Sequence, residues 1–264
     1  MKPTPLTTLT PAQAAAFVER GFVVVPGCVD PAAAREWVAG GWERLKASPK
    51  DPRTWKDGIV HLPAARSVVI RDFSPKGWGA ICDALGGEDR VLEPAKNGWS
   101  DTFIVNFPVR DGAEPEREYT SLWHLDGNDS SKRLVTLRSA DLALISMVAW
   151  TRMGRGSGGT EVSVPSLPRV AKLLRENPAG ITTSELCLKV KPTSTGVETI
   201  EAEAGDLVLM NPYLMHRSAP NEEKGHARFL TTQMHALREA PRLDRGDGSA
   251  TSPFEASLLR ALKD

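Results

Sequence analysis

Between residues 102 and 235 the chain repeats one pattern, a short apolar run closed by a cluster of Gly, Pro, Asn or Asp. Seven such runs read as strands: Thr102 to Phe107, Asp141 to Trp150, Glu161 to Val164, Leu186 to Lys191, Val197 to Glu201, Leu207 to Met210 and Phe229 to His235. β-branched and aromatic residues favour a pleated, half-buried surface, and the clusters between them favour turns. One helical stretch, Pro168 to Glu176, interrupts the series. So many short strands must bury their apolar faces against one another, which points to a β-sandwich or jelly roll with helices packed outside.

The helices belong to the first hundred residues. Thr10, Pro11 and Gln13 have the spacing of an N-cap, a first helical residue and a capping-box partner, with Gly21 as the stop. Phe22 to Val25 is a β-branched run, and Asp30-Pro31 starts a second helix over Ala32 to about Lys46. From Pro49 to Trp99 the mixture of Pro, Gly and Trp supports no assignment. The expected organisation is one domain over 1–264, with a mostly helical layer over 1–100, a β core over 101–240 and a tail over 241–264. Arg110 to Glu118 reads as a mobile surface loop.

The chain has 33 basic and 33 acidic residues and no net charge, which gives no support for nucleic-acid binding or electrostatic membrane attachment. No apolar run approaches the roughly 20 residues that span a bilayer, and the start of the chain lacks an apolar signal core. The default expectation is therefore cytoplasmic, with no nucleic acid or membrane as partner; nothing bears on oligomeric state. Cys28, Cys82 and Cys187 lack metal-clip or redox spacing and read as buried free thiols.

Chemistry enters at Trp123-His124-Leu125-Asp126-Gly127. On an extended backbone residues i and i+2 share a face, so His124 and Asp126 can offer an imidazole and a carboxylate to one ion. Such a tripeptide alone is weak. A second cluster follows the Ala204-Gly205-Asp206 turn and the Leu207 to Met210 run, with His216, Ser218, Asn221 and Arg228 in order. Two histidines and one carboxylate on one face of iron leave open positions for oxygen chemistry.

These segments, with "LTPAQAAAFVERGFVVVPGCVD", "WHLDG", "GGTEVSVPSL" and "GDLVLMNPYLMHRSAPNEEKGHARFLT", resemble the phytanoyl-CoA dioxygenase family of Fe(II)/2-oxoglutarate oxygenases over nearly the whole chain. The resemblance implies a double-stranded β-helix (jelly roll, cupin-like) core in a mainly β chain of α+β content. It implies iron ligands at His124, Asp126 and His216, and 2-oxoglutarate anchors at Arg228 and Ser218. Arginine suits a buried carboxylate because its planar fork is bidentate and always charged. Asn106 is similar in position to a polar residue that contacts the other end of 2-oxoglutarate, and Thr160 and Trp150 are further candidates for that pocket. Trp123 is a candidate substrate wall because it adjoins His124. The expected reaction uses Fe(II), 2-oxoglutarate and O2 to hydroxylate a small molecule such as a natural-product intermediate or an amino-acid-like substrate. Related halogenases replace the carboxylate, so its presence at Asp126 favours hydroxylation.

Two departures from the family pattern stand out: Pro165-Ser166-Leu167 replaces a common Pro-Gly-Ser-His, and the gap from His216 to Arg228 is slightly long. Arg217 and Arg238 fit the anchor position less well. The alternative from another class is a non-catalytic or zinc- or nickel-binding jelly-roll protein; a cupin without co-substrate would have more histidines. Gly154 to Gly159 matches a dinucleotide fingerprint by letter, but a strand-like run follows where that fingerprint needs a helix. His61, His226 and His235 read as structural, and Arg66, Arg71, Arg138 and Lys132 as surface charge. Asn128 to Arg138 has the composition of a lid or a plain loop.

Overall fold

In the computed structural model, residues 5–109, 123–126, 133–192, 195–244 and 252–263 are described. The expected loop at Arg110 to Glu118 lies outside them, as do residues 128–132 of the Asn128 to Arg138 segment.

Helix α1 (Pro11–Arg20) starts at a reciprocal capping box between Thr10 and Gln13 and ends at Gly21, whose φ of 78° is costly for any residue with a side chain. Strand β1 (Phe22–Val25) follows, then α2 (Pro31–Leu45), capped by Asp30 through the amides of Ala32 and Ala33. The stretch without a sequence signal holds β2 (Ile59–His61), β3 (Ser67–Val69), α3 (Ile70–Phe73), α4 (Pro75–Leu85) and β4 (Gly98–Ser100). Next come β5 (Ile104–Asn106), β6 (Leu134–Val135), β7 (Leu144–Ala149), β8 (Thr160–Ser163) and α5 (Ser166–Glu176). The chain continues through β9 (Ile181–Thr182), α6 (Thr183–Lys189), β10 (Val197–Ile200), β11 (Leu207–Met210), β12 (His216–Ser218), β13 (Arg228–His235) and α7 (Pro253–Ala261).

Two antiparallel sheets carry the architecture. The larger has the order β1-β11-β7-β13-β5-β2 and the smaller β10-β8-β12; β3-β4 and β6-β9 are two-stranded pairs. The larger sheet draws β1 and β2 from the expected helical layer, so that layer is not separate from the β core. One face of this sheet packs against α2 through aromatic rings: Trp42 lies 5.2 Å from Phe229, and Trp37 stacks on Trp150 at 4.3 Å and 6°. Arg228, on the other face of β13, reaches Ser218 of the smaller sheet.

Helix and sheet share the chain, and two expectations need correction. Leu186 to Lys191, expected as a strand, lies mostly in α6. Thr182 caps that helix by accepting from the Glu185 amide, and local capping outweighs β propensity in so short an apolar run. The expected tail contains α7, capped by Ser252, with Phe254 and Leu258 fully buried. Among the described residues no helix is long and apolar enough to cross a membrane.

Candidate metal centre

The smaller sheet and the strand segment beside it supply the site. His216 and Ser218 lie two residues apart on β12 and so share a face. Across from them on β8 stand Val162 and Thr160. Along the other edge of β12, His124 forms an isolated antiparallel bridge with His216, closed by N–H···O bonds of 3.0 and 3.1 Å. The bridge brings the imidazoles to one face with centroids 4.3 Å apart, and Asp126 joins them two residues on.

His124 Nε2 is 3.5 Å and His216 Nε2 3.7 Å from Asp126 Oδ1. One ligand atom from each residue lies within 4.8 Å of the others, and among the described residues no other such group was found. Cis ligands about 2.1 Å from one ion stand about 3 Å apart, so a modest inward closing of three side chains accommodates a metal. His216 Nδ1 is 3.0 Å from the Leu214 carbonyl. A carbonyl only accepts, so Nδ1 carries the proton and Nε2 keeps its lone pair for a ligand bond. Burial opposes charge on Asp126, but His216 and then His124 outweigh it and hold the carboxyl well below the usual carboxylate range. The donor set, two imidazole nitrogens and one carboxylate oxygen, fits a divalent transition metal with open positions.

Arg228 opens β13 and is fully buried. Its Nε donates to the Gly158 carbonyl at 2.7 Å, and its terminal nitrogens donate to the Ile104 carbonyl at 3.2 Å and Ser218 Oγ at 3.0 Å. These three acceptors are neutral and hold the guanidinium in place against the smaller sheet. Gly158 has φ of 71°, and a Cβ there would come within 2.8 Å of Asn106 Nδ2, so glycine is required to bring its carbonyl under the arginine. Asn106 sits opposite Arg228 in register and donates to the Ala219 carbonyl at 2.8 Å. Asn221 Nδ2 donates to the carbonyls of Asn106 and His226, at 2.9 and 2.8 Å. The longer loop before Arg228 is thus pinned directly behind it. Ser166, the departure in the Pro165 turn, accepts from the Met215 amide at 2.9 Å, one residue before His216.

The structure therefore brings together His124, Asp126 and His216, and separately Arg228, Ser218, Asn106 and Thr160. It separates two other expected residues. Trp150 lies on the α2 side of the larger sheet, stacked on Trp37 and donating to Thr231 Oγ1 at 2.8 Å, because the residue after inward-facing Ala149 must point outward. Trp123 lies over the Arg217 guanidinium, 5.0 Å from its ring centroid, on the face opposite His216. The same alternation explains it: adjacency to a ligand along a strand turns a side chain away from the ligand's face. Arg217 pairs with Glu161 and Arg238 is exposed, so neither competes with Arg228. Arg66 pairs with Glu36, Arg71 with Glu88 and Arg138 with Asp244. Lys132 lies outside the described residues. Sequence reasoning named Asn221 without a role and missed the roles of Gly158 and Leu214; the glycine run at 154–159 was the available signal, and its use is to cradle an arginine.

The sequence matches the phytanoyl-CoA dioxygenase (PhyH) family over residues 17–229, well over half of the chain, and the protein belongs to that family. Fe(II), 2-oxoglutarate and O2 are the cofactors of that family. No curated protein matches the sequence. Among solved structures, the non-heme alpha ketoglutarate dependent carbocyclase SnoK from nogalamycin biosynthesis aligns at 16% identity, covering 96% of each chain, with a TM-score of 0.51. A hypothetical protein, JW0805 from Escherichia coli, aligns at 17% identity over 89% of this chain and 69% of its own, with a TM-score of 0.52. At these identities the likeness is one of fold.

Proposed function

We propose that this single-domain chain is an Fe(II)- and 2-oxoglutarate-dependent oxygenase that hydroxylates a C–H bond of a small molecule, and that its two sheets are the halves of a double-stranded β-helix. The observation that carries the reading is the pairing of two features on facing sheets. His216 of a His-Asp-His triad of metal-ligand geometry shares its strand with Ser218, and Ser218 is held by a fully buried arginine. A buried guanidinium beside the triad suits an anionic co-substrate, because its planar fork can hold a carboxylate as a charge-assisted pair.

His124, Asp126 and His216 would hold the iron. When bound, iron and 2-oxoglutarate together activate O2 for substrate oxidation, with succinate and CO2 released. Arg228 would take the distal carboxylate of 2-oxoglutarate as a charge-assisted pair, and Ser218 would add a hydroxyl hydrogen bond to the same group. Thr160, opposite Ser218 in register, would border that carboxylate, and Asn106 would hold the wall beside it. The two-residue step between His216 and Ser218 then sets one end of the co-substrate at the metal and the other at the arginine. Hydroxylation is favoured over halogenation because Asp126 fills the position that a halide would need. A natural-product intermediate or amino-acid-like compound is the proposed substrate class.

The test is 2-oxoglutarate consumption with Fe(II) and O2, followed as succinate by NMR. Wild-type protein should form succinate slowly even without primary substrate. His216→Ala and His124→Ala should abolish it. Arg228→Ala should raise the KM for 2-oxoglutarate by about 100-fold, the worth of a charge-assisted pair, while leaving iron affinity within a few-fold. An Arg228→Ala variant with unchanged KM would remove Arg228 as the anchor.

A further inference from the structure

Two of the three candidate ligands sit on residues 123–126, which meet β12 through the bridge between His124 and His216. A rigid metal site also needs its ligands supported from behind. The reinforcement lies on the outer face of the same sheet. Arg217 follows His216 and so points away from the metal, where it stands opposite Glu161 in register. Its Nε donates to Glu161 Oε2 at 2.7 Å, and the two side chains are only 10% and 18% exposed. The same guanidinium covers the ring of Trp123, 5.0 Å from its centroid, and Trp123 precedes His124.

We propose that Arg217 is a positioning residue for the metal centre: anchored by Glu161 on β8, it clamps Trp123 and so fixes the segment that presents His124 and Asp126. Arginine is suited to both contacts at once, since its edge donates to a carboxylate while its flat face lies on an aromatic ring; lysine has no such face. The clamp joins three neighbouring strands, β8, β12 and the ligand segment, directly behind the ligands. It also explains why a residue that adjoins the distal histidine is nearly buried yet takes no part in anion binding. The inference rests on the metal-centre reading above, and its test separates the two.

The experiment measures Co(II) affinity of metal-free protein by calorimetry, with the cobalt d–d spectrum as a report on ligand geometry. Thermal unfolding of the metal-free forms is followed alongside. Arg217→Ala and Trp123→Ala should each weaken Co(II) binding by about 10- to 100-fold, the range for residues that orient ligands from behind. Their double variant should be no weaker than the worse single, because both changes remove one clamp. Trp123→Phe keeps a ring under the guanidinium and should restore most of the affinity; Arg217→Lys should not. The spectrum of each weakened variant should shift, as it would not if only global stability had fallen. Wild-type affinity and spectrum in Arg217→Ala and Trp123→Ala would overturn the clamp while leaving the metal centre intact. Fully additive losses in the double variant would also overturn it. Failure of the wild-type protein to bind Co(II) would overturn the metal centre and the clamp with it.

Discussion

At the scale of single residues, the buried histidine far from the metal illustrates how polar groups are placed in this core. His235 is fully buried. Its Nδ1 lies 2.8 Å from Asn97 Oδ1, and Asn97 Nδ2 donates to the carbonyls of Leu92 and Glu93. Its Nε2 lies 2.7 Å from Ser146 Oγ, which in turn accepts from Trp99 Nε1 at 3.2 Å. The directions are forced: Nδ1 donates, Nε2 accepts the serine proton, and one neutral tautomer is fully satisfied. Burial lowers its pKa from 6.5 to about 3. The unfolded chain therefore binds a proton that the native state refuses between those values. Its stabilising contribution is complete above about pH 6.5 and is lost as pH falls toward 3, by at most about 1.4 kcal/mol per pH unit. Urea unfolding of metal-free protein at several pH values should show a shallower acid slope for His235→Asn than for wild type; equal slopes would contradict this account. The candidate triad was legible in the sequence because the proposed chemistry fixes its residue types and a two-residue period sets His124 and Asp126 on one face. Trp123 was expected at the site because adjacency to His124 was read as proximity, which a strand inverts.

At the scale of elements, the packing of α2 on the larger sheet gives opposite outcomes at neighbouring glycines. A Cβ at Gly41 would lie 2.8 Å from Phe229 and 3.0 Å from Phe103, rings wedged among Trp42 and Trp150, whereas at Gly40 it would meet nothing within 4 Å. Gly40→Ala should gain about 0.5–1 kcal/mol from helix propensity. Gly41→Ala should lose about 1 kcal/mol net, since overpacking outweighs the same gain. Chemical denaturation of the two variants checks the sign difference. Helix α4 escaped the sequence reading for a related reason. Ser74 caps it, Pro75 opens it and Gly86 ends it, but Gly77 and Gly79 inside it lower helix propensity. They are there because a Cβ would strike Trp99 at 2.8 Å and Thr8 at 2.2 Å. Tertiary contact wrote those residues, and no local pattern reveals it. Helix α1, strands β1 and β11 and the start of α2 were legible because caps and β-branched runs are local signals.

At the scale of the whole molecule, the chain closes on itself through α7, which packs against α1, α4 and α5. Glu255 on α7 is fully buried, accepts from the Arg242 amide at 3.0 Å and pairs with Arg90 at 2.6 Å. Glu255→Ala should cost about 3 kcal/mol, since it removes the buried carboxylate that meets a partly buried arginine and a backbone donor. Differential scanning calorimetry should read it as a lower Tm, without loss of Fe(II) affinity, because α7 contributes no residue to the centre. The proposed site depends on the larger sheet bringing Arg228 to within 3.0 Å of Ser218 on the smaller one. The decisive measurement is an anaerobic titration of metal-free protein with Fe(II) and then 2-oxoglutarate, followed in the visible range. A charge-transfer band that needs both components, is lost in His216→Ala and requires far more 2-oxoglutarate in Arg228→Ala is the result this account predicts. No band, together with no heat of 2-oxoglutarate binding, would contradict it and favour a metal-binding protein without a co-substrate.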